Sequence, residues 1–215
     1  MSSNDKLLPL LIIGGGGHSK VVAEIAKQDG RFVLEGIIDD QAVGTQINGV
    51  EVVGNDRSLP LLYAQGCRHV HIAIGSNYTR ERLALMVRIL GFHVVSLISP
   101  RAIVSPSAKI GAGVVVMSGV VINAQTEIGQ LSIINTGSSI DHDCKIGNSV
   151  HIAPGSTLTG NVVVGDRSFI GAGSTIIPGV TLGNDVVVGA GACVIEDIPA
   201  GVCVVGVPAK VKRSP

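Results

Sequence analysis

Between residues 104 and 194 the chain places a large aliphatic side chain at every sixth position. The series is Val104, Ile110, Val116, Ile122, Ile128, Ile134, Ile140, Ile146, Ile152, Leu158, Val164, Ile170, Ile176, Leu182, Val188, Val194, with no break. Four residues after most of them stands a small side chain, among them Ser132, Ser138, Cys144, Ser156, Ser168 and Ser174. A helix repeats every ~3.6 residues and a half-buried strand every ~2, so neither explains this spacing. A fixed short period is the mark of a solenoid. Period six gives one flat side and one corner per hexapeptide. Three sides close a triangular coil, with the large aliphatics pointing inward and the small residues filling beside them. About five coils at ~4.8 Å spacing predict a parallel β-helix about 25 Å tall.

The preceding stretch has a different pattern. Residues 7–13 are continuously apolar, as in a strand buried on both faces of a parallel sheet. Gly14-Gly15-Gly16-Gly17-His18-Ser19 then turns into a predicted helix over 19–28. A strand over 32–38 ends in Asp39-Asp40, and a short strand follows over 50–53. A helix over 56–65 takes Asp56 as its cap. A strand over 69–74 leads through Gly75-Ser76-Asn77 into a helix over 78–90, where Leu83, Met86, Val87 and Leu90 recur at helical spacing. The last strand of this part is predicted over 92–98. The alternation reads as a small Rossmann-like α/β domain, giving two domains, 1–99 and 100–215.

Composition narrows the function. Sixteen basic and 16 acidic residues leave no net charge, and with no Trp and 2 % aromatics nothing suggests a nucleic-acid partner. The four cysteines, Cys67, Cys144, Cys193 and Cys203, form no C-x-x-C pair. They read as free thiols of a reducing cytoplasm. The apolar run at 7–13 is too short to cross a membrane, so no membrane insertion is expected.

Two stretches carry candidate chemistry. A strand, a glycine turn and a helix N-terminus can cradle a phosphate. The spacing Gly14-x-Gly16-x-x-Ser19 lacks the third glycine of the dinucleotide fingerprint, which favours a mononucleotide-linked ligand over NAD. A purely structural turn would also use these glycines. The second stretch is Asp141-His142-Asp143. Ile140 points inward, so His142 falls at a corner and faces out between two carboxylates. A carboxylate beside an imidazole fixes its tautomer and raises its basicity, as a general base requires. Cys144 occupies an inward position and reads as filler. His142 and His151 are the only solenoid histidines, so a three-histidine zinc site is not available there and no metal is expected.

The hexapeptide run and the closing Val205-Gly206-Val207-Pro208-Ala209-Lys210 resemble the bacterial acyltransferases that use acetyl-CoA. With the GGGGHS turn, Ile38-Asp39-Asp40, Ile72-Ala73-Ile74-Gly75-Ser76-Asn77 and Asp141-His142-Asp143, the chain resembles the N-acetyltransferases of nucleotide-linked 4-amino-4,6-dideoxysugars. The sialic acid O-acetyltransferases are a sister group. The resemblance implies a left-handed coil and a homotrimer, with CoA lying between subunits and the sugar nucleotide on the N-terminal domain. It implies His142 as catalytic base and Asp143 as its orienting carboxylate, although many relatives carry Glu there and Asp141 competes for the role. It places Gly16, Gly17, His18, Asp39, Asp40, Gly75, Ser76 and Asn77 at the nucleotide sugar. It places His151 at the acetyl thioester and Gly160, Ala172 and Ala190 along the CoA channel. The expected reaction is direct acetyl transfer from acetyl-CoA to the sugar 4-amine. Acetylation of a hydroxyl and a non-catalytic nucleotide-sugar-binding solenoid are the alternatives, and UDP against GDP stays open.

Overall fold

The computed structural model describes residues 7–212; residues 1–6 and 213–215, the outer ends of the two predicted domains, lie outside the described residues. The first part is a six-stranded sheet with three helices. Its elements are β1 (Leu8–Ile13), α1 (Gly17–Asp29), β2 (Phe32–Ile38), β3 (Gln46–Ile47), β4 (Val50–Gly54), α2 (Leu59–Ala64), β5 (His69–Ile72), α3 (Asn77–Ile89) and β6 (His93–Val94). The sheet order is β3-β4-β2-β1-β5-β6. All pairs are parallel except the β3–β4 hairpin, whose turn residues Asn48 and Gly49 both take positive φ, 50° and 70°. Two such residues give the turn whose twist matches a hairpin. The helix predicted over 56–65 opens with a 3-10 turn, and its cap is Asn55, whose side chain accepts from the Arg57 amide, not Asp56. β3 had no signal in the sequence reading, because two residues show no periodicity.

The strand predicted over 92–98 is two strands. β6 closes the sheet, and Leu97–Ile98 pairs with Val115–Val116 as the first rung of the β-helix. The coil therefore starts one step before Val104. Its first face carries seven parallel rungs, at residues 97, 115, 133, 151, 169, 187 and 203. The second face carries six, from 103 to 193, and the third five, from 109 to 181. This exceeds the five coils expected, since the rung at 203–205 lies beyond the unbroken period. Inward residues such as Ile122, Ile134, Ile140, Ile152, Leu158 and Ile176 are at most 1 % exposed. Each such side chain contributes about 1.5–3 kcal/mol of burial free energy. The small inward residues do a second job. Ser132, Ser156, Ser168 and Ser174 each donate to a carbonyl of the following coil, at 2.9 Å, so no buried hydroxyl of this set is left unpaired.

The last described segment covers the final coil. Cys203–Val205 pairs antiparallel with Lys210–Val211 on the first face. Ile198 bridges to Leu182 on the third face. Gly206 and Ala209 exchange hydrogen bonds with Cys193 on the second.

The N-terminal domain sits on the first face and the corner leading into it. Outward Val115 and Ile133 are each 1 % exposed, whereas outward Ile103 on the second face is 69 % exposed. Leu10, Ile12, Val22, Ala26, Leu97, Val115 and Ile133 belong to one core that runs through both parts. At the corner, buried Arg80 donates to the carbonyls of Ile74, Gly75, Leu131, Ser149 and Val150 and to the Asn77 side chain. Burial lowers its pKa to about 10, so it keeps its charge, balanced by carbonyl dipoles. Tyr78 reaches Asp185, which also holds Arg167 in a two-pronged ion pair.

Candidate active site

The residues singled out in the sequence fall into three places. The first is the corner between the second and third faces. Ile140 is fully buried, and the turn carries His142 outward with a side chain 53 % exposed. Asp143 takes φ +60°, a left-handed conformation that Asp tolerates better than most residues. That turn folds its carboxylate back to His142, with Oδ2 2.8 Å from Nδ1. The imidazole thus presents Nε2 to solvent. Its pKa is raised above the ordinary value, first by the Asp143 hydrogen bond and then by the charge of Asp141. Asp141 lies on the other side of the ring, Oδ2 4.0 Å from Nε2. Asn123, one coil earlier, donates to its Oδ1. One coil later Gly160 lies directly against the ring. Cys144 is buried, its thiol donates to the Thr159 carbonyl and burial pushes its pKa up, so it is filler and no nucleophile.

The second place is the junction between the sheet and the first face. Gly16 and Gly17 leave open space around their Cα atoms at the start of α1, and among the described residues no side chain caps that helix. Asp39 closes the loop, accepting from the Gly15 amide at 2.6 Å and the Gln41 amide at 3.2 Å. Asp40 is exposed. Within the α/β domain a cleft of about 180 Å³ opens at the carboxyl ends of β1, β2 and β5, with Asp39, Asp40, Asp56, Thr79 and Arg82 in its lining. β1 lies between β2 and β5, so this is the switch point where open α/β sheets bind ligands.

His18, His71 and His151 gather behind the cleft. Nε2 of His18, Nε2 of His71 and Nδ1 of His151 are buried with no hydrogen-bond partner among the described residues. Each ring is held at a pKa of about 4, mainly by burial, with the positive field of Arg80 adding to it. The Gly75 backbone beside His151 opposes that shift only in part. The Asn135 amide nitrogen stands 3.1 Å from His151 Nε2, while its oxygen accepts from Thr136. His71 is 1 % exposed, and its Nδ1 is 2.8 Å from the Val95 carbonyl. The sequence reading missed His71, since a histidine inside a buried strand looks like core.

Two expected ligand contacts have other occupations. The Asn77 side chain donates to the Arg167 and Ser168 carbonyls and so joins the domains. Ser76 caps α3, its hydroxyl accepting from the Thr79 amide. Gly75 stays exposed beside them.

The third place is the corner between the first and second faces, where Ala172 and Ala190 are exposed next to Gly173 and Gly191. Gly160, grouped with them in the sequence reading, instead shares the His142 corner, and His151 lies on the covered first face. One chain therefore separates His142 from the cleft. The base stands at the corner opposite the face that the N-terminal domain covers. Among the described residues no group of three or more His, Cys, Asp or Glu is placed to hold a metal ion, and no helix is long and apolar enough to cross a membrane.

Comparison with known proteins identifies the family of both parts of the chain. A family model described as the PglD N-terminal domain matches residues 9–87, and one described as bacterial transferase hexapeptide (six repeats) matches 125–160 and 161–196. The chain is 47 % identical to a histidine-to-asparagine variant of perosamine N-acetyltransferase from Caulobacter crescentus, solved with CoA and GDP-perosamine. The match covers 96 % of this chain and 97 % of that one, with a TM-score of 0.92. The acetyltransferase domain of PglB from Neisseria gonorrhoeae, solved with acetyl coenzyme A, is 40 % identical over 96 % of this chain and all of that one, with a TM-score of 0.91. Among curated proteins, the GDP-perosamine N-acetyltransferase of Escherichia coli O157:H7 is 31 % identical over 55 % of each chain. The UDP-N-acetylbacillosamine N-acetyltransferase of Bacillus subtilis is 38 % identical over 50 % of each. The match thus spans about half the length of the curated relatives. With an α/β domain, an unbroken hexapeptide coil and near-complete overlap with the Caulobacter enzyme, the chain belongs to the hexapeptide-repeat N-acetyltransferases of nucleotide-linked amino sugars.

Proposed function

We propose that the protein transfers the acetyl group of acetyl-CoA directly to the 4-amino group of a UDP- or GDP-linked 4-amino-4,6-dideoxysugar in the cytoplasm. The observation that carries this reading is the His142–Asp143 pair, anchored at Nδ1 and open at Nε2. The substrates named for the relatives, CoA with GDP-perosamine and acetyl coenzyme A, support the same chemistry.

In this mechanism His142 Nε2 removes a proton from the sugar amine as its lone pair attacks the thioester carbonyl. Asp143 holds the ring in the tautomer with hydrogen on Nδ1 and stabilises the imidazolium that forms. A backbone amide of the coil steadies the oxyanion. The C–S bond breaks and the sulfur takes the proton from His142, leaving CoA as its thiol. The nucleotide lies in the cleft lined by Asp39, Asp40, Thr79 and Arg82, with its phosphates at the open Gly16–Gly17 turn. The bare corner at Ala172 and Ala190 leaves room for the extended pantetheine arm.

The cleft and the base stand on opposite sides of one prism, so the site is completed by a neighbouring copy. The contact joins unlike surfaces, which close as a ring, and a homotrimer is the ring proposed. Two experiments test this. CoA release with UDP- and GDP-linked 4-amino sugars, with product mass raised by one acetyl group, tests the reaction; no release with either rejects it. Mixed oligomers of His142→Ala and His18→Ala chains test the shared site. Each variant alone is expected to be inactive and the mixture to recover activity. A mixture as inactive as its parts places the whole site in one chain.

A further inference from the structure

The two carboxylates flanking His142 are not equivalent. Asp143 is spent on Nδ1, the side of the ring away from the chemistry. Asp141 stands beside Nε2, the atom that takes the proton. Its Oδ1 is fully engaged, accepting from Asn123 Nδ2 and from the His142 amide, both at 2.8 Å. Its Oδ2 receives no hydrogen bond among the described residues, and it faces solvent 4.0 Å from Nε2. One carboxylate oxygen is thus locked and the other left open, on the substrate's side of the base.

We propose that Asp141 Oδ2 is a second acceptor for the substrate nitrogen and the feature that selects an amine over a hydroxyl. This rests on the acetyl-transfer reading above. A nitrogen at hydrogen-bond distance, about 2.9 Å, from two acceptors 4.0 Å apart sees them about 90° apart. That is near the angle between two N–H bonds. A neutral primary amine has two N–H bonds and one lone pair. One N–H points to His142 Nε2 and the other to Asp141 Oδ2, so the lone pair is left to face the thioester carbon. As the N–C bond forms, the nitrogen becomes cationic beside the Asp141 carboxylate. Nε2 takes one proton, the C–S bond breaks and that proton leaves on the CoA sulfur. A hydroxyl has one hydrogen. Donating it to Nε2 turns an oxygen lone pair against Oδ2, and two acceptors then face each other unpaired, which costs binding.

The same geometry gives Asn123 a role. Its contact fixes the carboxylate's rotation, so the open oxygen cannot swing away. Asp141 is held below the usual carboxylate range, first by the Asn123 hydrogen bond and then by the His142 amide. It is therefore ionised whenever His142 is neutral.

Asp141→Asn tests the proposal. The asparagine oxygen can keep the locked contacts, which turns the open atom from acceptor into N–H donor. Rates are read by CoA release for the nucleotide-linked 4-amino sugar and for its 4-hydroxy counterpart, over the pH range 6–9, for wild type, Asp141→Asn and Asp141→Ala. Where the hydroxyl compound is not turned over, its inhibition constant against the amine replaces its rate. The expected result is a loss of at least about tenfold in kcat/KM for the amine, persisting on the high-pH plateau. The hydroxyl compound should lose less than the amine or gain, since its clash with Oδ2 is relieved, and the KM for acetyl-CoA should be unaffected, so that amine-over-hydroxyl preference falls in both variants. Equal losses on both acceptors, no loss, or a loss that vanishes at high pH would overturn the proposal. Failure of wild type to acetylate any amine would instead reject the underlying reading, and is seen before any variant is compared.

Discussion

The imidazole of His142 lies over Gly160 so closely that a Cβ at position 160 would stand 2.7 Å from its Cε1 and 2.8 Å from its Nε2. The two residues are one full coil apart, so stacking of rungs sets the contact. A methyl group there must push the ring off its pair with Asp143. Gly160→Ala is therefore expected to lower kcat by roughly 10²-fold, the low end of what a general base contributes. The KM for acetyl-CoA and the melting temperature should change little. A kcat within twofold of wild type would mean that the ring has another working position.

Removing the carboxylate at Nδ1 should act through the acidity of the ring. His142 must be neutral to take a proton, and its pKa is raised by Asp143 first and Asp141 second. The acid limb of kcat/KM should therefore lie above the ordinary histidine value in wild type. Asp143→Asn should move that limb to lower pH and reduce the plateau, because the tautomer is no longer fixed. An unmoved limb would assign the titration to another group.

Among the described residues Arg80 has no carboxylate partner, and it is surrounded by carbonyls from both domains. Arg80→Ala leaves those carbonyls buried and unpaired. A loss of about 3–5 kcal/mol in unfolding free energy is expected, on the scale of breaking a buried charged contact. Denaturant unfolding read separately for sheet and coil should show the two parts separating.

His71 predicts an acid instability. Its folded pKa, about 4, is below the unfolded value of 6.5. The stability from keeping it neutral is complete above pH 6.5 and is lost as pH falls toward 4, about 3 kcal/mol for this residue. His18 and His151 act in the same direction. His71→Gln should flatten the fall in melting temperature between those limits. An equally steep fall would place the acid sensitivity elsewhere.

The coil was legible because burial repeats every six residues, and a residue that must be apolar sixteen times in register leaves few alternatives. His142 as an outward corner residue followed from Ile140 being inward. The choice between Asp141 and Asp143 was not legible. It depends on the left-handed backbone at Asp143 and on Asn123 one coil away, and hydrophobic spacing records neither. Asn77 was placed at the nucleotide sugar by the resemblance. Its partners Arg167 and Ser168 lie some ninety positions on, and only the docked domains bring them together. The resemblance placed Gly160 along the CoA channel; its contact with the His142 ring was not legible, because a glycine's neighbours across a rung do not show in its own sequence context.

The segment 198–211 laid over the last coil has a consequence for solubility. A stack of parallel rungs ends in a row of bare amides and carbonyls on every side, a template onto which another chain could add strands. Here Ile198, the Cys203–Lys210 hairpin, and Gly206 with Ala209 take up part of that row on all three faces. The antiparallel return strand reverses the chain direction at the last position of the first face, so a further rung there could not repeat the parallel pairing of the coil. At the other end the first rung is continuous with the α/β domain. A fold built by repetition thus ends in a covered last coil, where another molecule finds little edge left to extend.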